Sequence, residues 1–145
     1  MSTAIDKGRD LEQRMAAFLR NHGYEVSTNL TIEGRSGANH ELDVVGDKED
    51  GLTSFRIVVE CKAWASPIDK EVVYKLSAEL ADLGAAKGVI ASLSGWTVQA
   101  GQAATQAHIE LWGPEELASR LGNLALSEMQ IPRTRVLAEG FAFGG

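Results

Sequence analysis

The chain has 145 residues, 44% of them hydrophobic, with 14 Lys and Arg against 20 Asp and Glu and a formal net charge of -6. This size fits one compact domain with a core of its own, and the acidic balance excludes a histone-like coat of positive charge. The single cysteine, Cys61, excludes an internal disulfide framework and a cysteine-based zinc site. Since no segment has the roughly 20 apolar residues that cross a bilayer and no secretion signal is recognisable, we expect a cytoplasmic protein without membrane contact.

The first half of the chain predicts one helix followed by three strands. Apolar residues at helical spacing over residues 8–22 predict an amphipathic helix. Alternation and β-branched residues then predict strands over residues 24–29 and 40–45, with a glycine-containing loop between them. A polar turn at residues 46–51 leads to a third strand at 55–62, so we expect strands two and three to form a hairpin.

The second half predicts alternating helices and strands. A helix capped by Asp69, an apolar strand at residues 87–93, a helix capped by Thr97, a short strand at 109–112 and a helix opened by Pro114 follow one another. The resulting order, α-β-β-β-α-β-α-β-α, is typical of an α/β fold. The apolar periodicity fades near residue 126, which assigns residues 1–126 to the domain and 127–145 to a C-terminal tail or linker.

Charged residues on the predicted hairpin carry the main functional signal. The period of two in a strand puts Glu60 and Lys62 on one face and Cys61 on the opposite face. Hairpin pairing can bring Asp43 beside Glu60, and a divalent cation would offset the repulsion between these carboxylates. Carboxylates with water suit Mg²⁺ or Mn²⁺. Lys62 would then be close enough to orient a water or stabilise charge on a phosphate.

Two further residues near this hairpin have competing interpretations. Glu12 lies at the edge of the first helix's inward face, where a carboxylate needs a partner or a metal, although it also suits an ordinary helix N-terminal region. His40 could contact a phosphate, but we expect a polar residue hydrogen-bonded to its own loop. A surface hairpin with solvated charges is the alternative for the whole set, and the apolar residues of strand three argue against it.

At these residues the chain resembles the PD-(D/E)xK nuclease superfamily, and more narrowly the Mrr-type restriction endonuclease domain, over about residues 7–121. The resemblance is carried by Gly8 with Glu12, GRSGANHELD at 34–43, VECK at 59–62, and KGVI at 87–90 before Gly95, Trp96 and Thr97. One departure is that Leu42, and not the proline of the superfamily's name, precedes Asp43.

The resemblance implies a restriction-endonuclease-like three-layer core, with a central mixed β-sheet flanked by helices. It implies metal ligation by Asp43 and Glu60, catalytic assistance by Lys62, and support of the metal site by Glu12. The expected activity is metal-dependent endonucleolytic hydrolysis of DNA, with Mg²⁺ as the cofactor and Mn²⁺ able to substitute.

Contacts with DNA and with partners are predicted less directly. Lys70 and Lys75 could meet the DNA backbone along the second helix, and Arg35 lies in a glycine-containing loop that can approach phosphate closely. Each of the three suits a solvated surface charge equally well. Because Mrr-type proteins usually carry a separate DNA-reading module, such a domain or subunit is compatible with the sequence, as is a homodimer.

Two alternatives to an Mrr-type nuclease stay open at this point. A Holliday junction resolvase-like, structure-selective nuclease would share the core, although we would expect it to be more basic than a chain of net charge -6. A non-catalytic DNA-binding or scaffold module would keep the fold without activity, and the intact set of Asp43, Glu60 and Lys62 argues against it.

Overall fold

The computed structural model describes residues 3–122, and its helices and strands follow the predicted order. The elements are α1 (Ala4–Asn21), β1 (Glu25–Glu33), β2 (Asn39–Glu49), β3 (Ser54–Lys62), α2 (Lys70–Leu83), β4 (Lys87–Ser92), α3 (Val98–Ala107), β5 (Ile109–Trp112) and α4 (Pro114–Leu121). The predicted domain boundary at residue 126 and the predicted tail at 127–145 lie outside the described residues.

Hydrogen-bonding side chains fix where the helices begin. Thr3 Oγ1 accepts from the Asp6 N–H at 3.1 Å and Asp6 Oδ2 accepts from the Thr3 N–H at 3.3 Å, which forms a capping box. This box starts α1 several residues earlier than predicted, because apolar periodicity does not register a polar first turn. The predicted caps of α2 and α3, Asp69 and Thr97, are confirmed.

The five strands form one mixed sheet in the order β1-β2-β3-β4-β5. β1, β2 and β3 are antiparallel neighbours, whereas β4 and β5 run parallel to β3. β3 is therefore the central strand, which accounts for its run of buried apolar residues. The carboxyl ends of β3 and β4 lie side by side because Lys62 pairs with Ser92.

Helices cover both faces of the sheet, so the predicted three-layer α/β architecture is confirmed. α1 and α4 pack on one face and α2 and α3 on the other, each over its own apolar cluster. Leu11, Met15 and Leu117 are fully buried in the first layer, and Val73 and Leu76 are buried in the second. Among the helices of residues 3–122, none has the length and hydropathy to cross a membrane.

Gly46 corrects the predicted turn at residues 46–51, because β2 continues through this glycine. A Cβ at Gly46 would lie 3.1 Å from Ile57 Cγ2, so the glycine permits close packing inside the hairpin. The turn is made further on, where Asp50 Oδ1 accepts from the N–H groups of Leu52 and Thr53, each at 2.9 Å.

β1 also runs past its predicted end, through a break at Asn29. Asn29 has a left-handed backbone, with φ of 51°, which asparagine tolerates better than most residues. Pairing on either side of it joins Thr28 to Val44 and Leu30 to Leu42. Asn29 therefore lies opposite Asp43, and at this position the buried residues of β2 change layer: Leu42 packs with α2 and α3, whereas Val44 packs with α1.

Candidate active site

Asp43 lies at the point where β2 changes face, next to the end of β3. Val44 pairs with Val59, so the next position along the hairpin sets Asp43 opposite Glu60. Asp43 Oδ2 accepts a hydrogen bond from the Cys61 N–H at 2.8 Å, and the Glu60 carboxyl group is a hydrogen-bonding neighbour of Asp43. The structure thus places side by side the two carboxylates that the hairpin pattern predicted to meet.

Glu60 is held in conditions that oppose its negative charge. Its residue is only 7% exposed, and burial together with the adjacent Asp43 raises the pKa of Glu60 to about 8. Burial and the neighbouring like charge therefore favour the protonated form of Glu60. A bound cation can take the place of that proton, because it stabilises both carboxylates at once.

Lys62 projects beside this pair and rests on an aromatic ring. Its positive charge counteracts the rise in the pKa of Glu60, which places the ammonium group near that carboxylate. Lys62 Nζ is 4.7 Å from the centroid of the Trp64 ring, within the range of a cation–π contact. The Ser94 hydroxyl donates to the carbonyl oxygen of Trp64 and joins the loops after β3 and β4. Trp64 was not identified from the sequence.

Glu12 approaches the site from the α1 layer. Asn29 Nδ2 donates to Glu12 Oε1 at 3.1 Å, so the break in β1 supplies a hydrogen-bond partner for this carboxylate. Burial raises the pKa of Glu12, the Asn29 hydrogen bond lowers it in part, and neighbouring Asp43 raises it again. Asn29 was missed by the sequence analysis, although an asparagine inside an alternating strand pattern is a signal for such a break.

His40 and two carboxylates of α2 form a second polar group on the opposite side of Asp43. His40 Nε2 is 2.7 Å from Asp82 Oδ2, and the Ser36 hydroxyl donates to the same carboxylate. Together these two contacts lower the pKa of Asp82 to about 2. His40 is thus bonded to α2 and not to its own loop as we expected. Glu79 lies one turn before Asp82 and is only 5% exposed.

Glu79 was also missed from the sequence, and its position is the more informative one. Burial raises the pKa of Glu79, Asp43 raises it further, and Lys62 lowers it, so this carboxylate lies within electrostatic reach of the predicted site. The signal was available in principle, because Glu79 follows Leu76 by three positions on the apolar face of α2. A carboxylate on a buried helix face calls for a partner.

The three predicted DNA contacts do not lie together. Lys70 is the first residue of α2 and Lys75 lies in its second turn, near Glu79. The Arg35 guanidinium packs against Gly84 just beyond the other end of α2, a helix of 14 residues and about 21 Å. Lys75 therefore lies near Glu79, whereas Lys70 and Arg35 lie at opposite ends of the helix.

The donor set fits a hard divalent cation. Within residues 3–122, no group of three or more His, Cys, Asp or Glu side chains is arranged to hold a metal ion directly. Asp43 and Glu60 provide two adjoining carboxylates. Two carboxylates with water molecules are the kind of ligand set that Mg²⁺ uses at phosphate-processing sites. The raised pKa of Glu60 follows from its burial beside Asp43, and a bound cation would offset both effects.

Comparison with known proteins shows the family of the chain. Residues 5–121 match the model of the family Mrr_cat, which is described as a restriction endonuclease. No curated protein sequence gives a significant match.

Solved structures with the same fold are distant in sequence. A protein of unknown function shares 24% identity with a TM-score of 0.65, covering 84% of this chain and 66% of the other. Can2 from Sulfobacillus thermosulfidooxidans, in complex with cyclic tetra-adenylate, shares 21% sequence identity with a TM-score of 0.60, and the match covers 88% of this chain and 37% of Can2. The DNA modification-dependent restriction endonuclease AspBHI shares 16% sequence identity with a TM-score of 0.53, and the match covers 99% of this chain and 41% of AspBHI. The chain spans less than two thirds of each of these proteins.

Proposed function

Because the chain belongs to the Mrr restriction endonuclease family, we propose that it is a Mg²⁺-dependent endonuclease that hydrolyses phosphodiester bonds in DNA. The observation that carries this proposal is the contact between the carboxyl groups of Asp43 and Glu60, with Lys62 beside them. A buried carboxyl group with a raised pKa, that of Glu60, beside a second carboxylate and a lysine at the rim of a sheet is costly for folding and useful for chemistry on a phosphate.

Asp43 and Glu60 would hold the cation, which supplies charge stabilisation at the phosphate and lowers the pKa of a bound water; Mn²⁺ would serve as a substitute. The Cys61 N–H donates to Asp43 Oδ2 and so fixes the orientation of this carboxylate next to Glu60. Glu12, hydrogen-bonded to Asn29, supports Asp43 from the α1 layer. Cys61 takes no chemical part, because its side chain is buried and burial raises the pKa of its thiol.

Lys62 supplies the positive charge that acts on the substrate. The Trp64 ring and the nearby carboxylates hold its ammonium group at the rim of the sheet, where it can orient the attacking water or donate hydrogen bonds to the phosphate. Water then attacks the phosphorus in line and the bridging ester oxygen leaves, so that no covalent enzyme intermediate is needed.

The remaining parts of the proposal concern context. Lys70, Lys75 and Arg35 are proposed contacts for the DNA backbone, and Lys75 lies within electrostatic reach of Glu79. We assign the nuclease domain to residues 1–126 and a tail or linker to 127–145. A cytoplasmic location, a homodimer and a separate DNA-reading domain or subunit complete the proposal.

The direct test is incubation of the purified protein with methylated and unmethylated plasmid, in Mg²⁺ or in EDTA. We expect nicking or cutting in Mg²⁺ that stops in EDTA, and Lys62→Ala as the matched inactive variant. Equal plasmid integrity in both conditions, with protein that is folded and binds Mg²⁺, would contradict the proposal. A synthetic four-way junction in parallel distinguishes a resolvase, which would cut the junction and leave linear duplex intact.

A further inference from the structure

Glu79 is a buried carboxylate that the described protein does not satisfy. Its residue is 5% exposed, and Oε1 is buried without a hydrogen-bond partner among residues 3–122. A carboxylate oxygen removed from water normally receives a hydrogen bond, because leaving it unpaired is costly. The position therefore calls for a donor that the described side chains and backbone do not provide.

His40 does not fill this role. Its Nε2 is 2.7 Å from Asp82 Oδ2, and since an ionised carboxylate only accepts hydrogen bonds, that ring nitrogen carries the proton. The other ring nitrogen, Nδ1, lies 3.7 Å from Glu79 Oε2, which exceeds hydrogen-bond distance. His40 thus serves Asp82, and its ion-pair contact with Glu79 involves only the oxygen Oε2 and leaves Oε1 without a donor among the described residues.

The surroundings of Glu79 point toward the proposed metal site. Asp43 and Glu60 both experience its negative charge, and Lys62 and Lys75 attract it. Glu79 thus lies within electrostatic reach of Asp43 and Glu60, across the space between β2, β3 and α2. No set of three acidic side chains is close enough within residues 3–122 to bind one ion directly, so Glu79 is too distant to be a third direct ligand.

Mg²⁺ connects these observations, because it releases its water molecules reluctantly and usually keeps several of them in a protein site. Coordinated water is a strong hydrogen-bond donor, and a carboxylate that accepts from it tunes metal affinity without touching the ion. A buried oxygen that lacks a donor among the described residues, within electrostatic reach of two carboxylates that can bind the ion, is the arrangement that such an indirect contact needs.

We propose that Glu79 is a water-mediated ligand of the divalent cation held by Asp43 and Glu60, accepting hydrogen bonds from the coordinated water and adding a third negative charge to the site. The inference rests on the proposed function and extends it to a residue of α2. Glu79 is in this sense a positioning residue, since it acts on the cation through water.

The test compares Glu79→Gln with Asp82→Asn, a matched change one turn along the same helix, and needs no DNA. Mg²⁺ affinity is measured by calorimetry and the melting temperature in EDTA. We expect Glu79→Gln to weaken Mg²⁺ binding about tenfold and to melt in EDTA no lower than the wild type, because a neutral amide is easier to bury. Asp82→Asn should melt lower, through loss of its His40 and Ser36 contacts, and keep wild-type Mg²⁺ affinity.

Glu79→Met provides a second variant, which removes both oxygens and should weaken Mg²⁺ binding at least as much. Wild-type Mg²⁺ affinity in both Glu79 variants, or loss of folding in both, would overturn the proposal, because Glu79 would then serve only the packing of α2. Asp43→Asn separates this failure from failure of the proposed function. If Asp43→Asn also leaves Mg²⁺ binding unchanged, the metal site itself is wrong; if it alone weakens binding, only the role of Glu79 is wrong.

Discussion

The hairpin of β2 and β3 carries two cross-strand pairs that differ in one respect. Asp47 pairs with Arg56, whose Nε and Nη2 donate to its carboxylate at 2.7 and 3.2 Å. Four residues along β2, Asp43 faces Glu60, a like charge. The first pair is satisfied within the protein and exposed, as expected of a structural contact. The second brings a buried Glu60 against a half-buried Asp43 of like charge, and we propose that a bound cation offsets their repulsion.

The same contrast recurs on α2. Asp82 accepts from His40 and Ser36, and these hydrogen bonds hold its pKa at about 2. Glu79, one turn earlier, is buried with a raised pKa and an oxygen without a partner among the described residues. Comparison of a carboxylate with both oxygens hydrogen-bonded and one with an oxygen unsatisfied by the described residues, on one helix, therefore separates a residue that stabilises the fold from one that we assign to the chemistry.

The largest expected effect separates the two aspartates of β2. Asp43→Ala should reduce DNA cleavage by at least about 1,000-fold, because it removes a cation ligand and the partner of the Cys61 N–H. Asp47→Ala, the matched control, should cleave at the wild-type rate and lose no more than about 1 kcal/mol of unfolding free energy. Initial rates on plasmid measure the first quantity. Similar rates in the two variants would remove the distinction between the pairs.

Lys62→Ala tests the cation that the protein itself supplies. We expect cleavage to fall about 100-fold or more while Mg²⁺ binding is retained, because Lys62 acts on the water or the phosphate and not on the metal. Single-turnover cleavage and calorimetry measure the two properties separately. Undiminished hydrolysis in this variant would exclude Lys62 from the mechanism.

The pH dependence of stability is expected to follow Glu60. Its pKa in the folded protein is about 8, against an ordinary value of 4.5, so between these values the folded protein holds a proton that the unfolded chain has lost. The unfolding free energy in EDTA should therefore fall as pH rises from about 4.5 to 8, by at most about 1.4 kcal/mol per pH unit. The pKa values of Glu12 and Glu79 are also raised, so these residues lower the unfolding free energy in the same direction as pH rises.

Denaturant unfolding in EDTA at several pH values measures this slope, with Glu60→Gln as the control that flattens it. Mg²⁺ should restore the stability lost at higher pH, because the cation replaces the proton. Stability that rises steadily between pH 5 and 8 in EDTA would show that the acidic pair carries no electrostatic cost.

Trp64 should give the smallest of these effects. Its ring contacts the Lys62 ammonium at a partly exposed position, where a cation–π contact contributes about 0.5–1 kcal/mol. Trp64→Leu should therefore slow cleavage about threefold, and Trp64→Phe should retain most of the rate. Equal losses in both variants would indicate that the indole contributes something other than an aromatic face.

The sequence predicted the parts of this site that depend on local periodicity and pairing. Alternation along β3 puts Glu60 and Lys62 together, and the hairpin register brings Asp43 to them. The position of Glu79 depends on how α2 is rotated over the sheet, which a single helical pattern does not fix. The link between Asn29 and Glu12 depends on a left-handed residue inside a strand, which propensity rules treat as an interruption.

The fold shows the same division. The order of elements, the caps at Asp69 and Thr97 and the three layers follow from patterns within single segments. The predicted turn after β2 comes too early, because a glycine followed by polar residues is typical of a turn. Gly46 instead allows close packing against Ile57 inside the strand. Contacts between distant segments are the information that one sequence carries least.

Calorimetric titration of Mg²⁺ is the most direct measurement of the central claim that the like-charged pair of the hairpin is a cation site. It should be carried out on the wild type, Glu60→Gln and Arg56→Gln at neutral pH. We predict measurable binding in the wild type and in Arg56→Gln, and at least tenfold weaker binding in Glu60→Gln. Equal Mg²⁺ affinity in all three proteins would contradict the account.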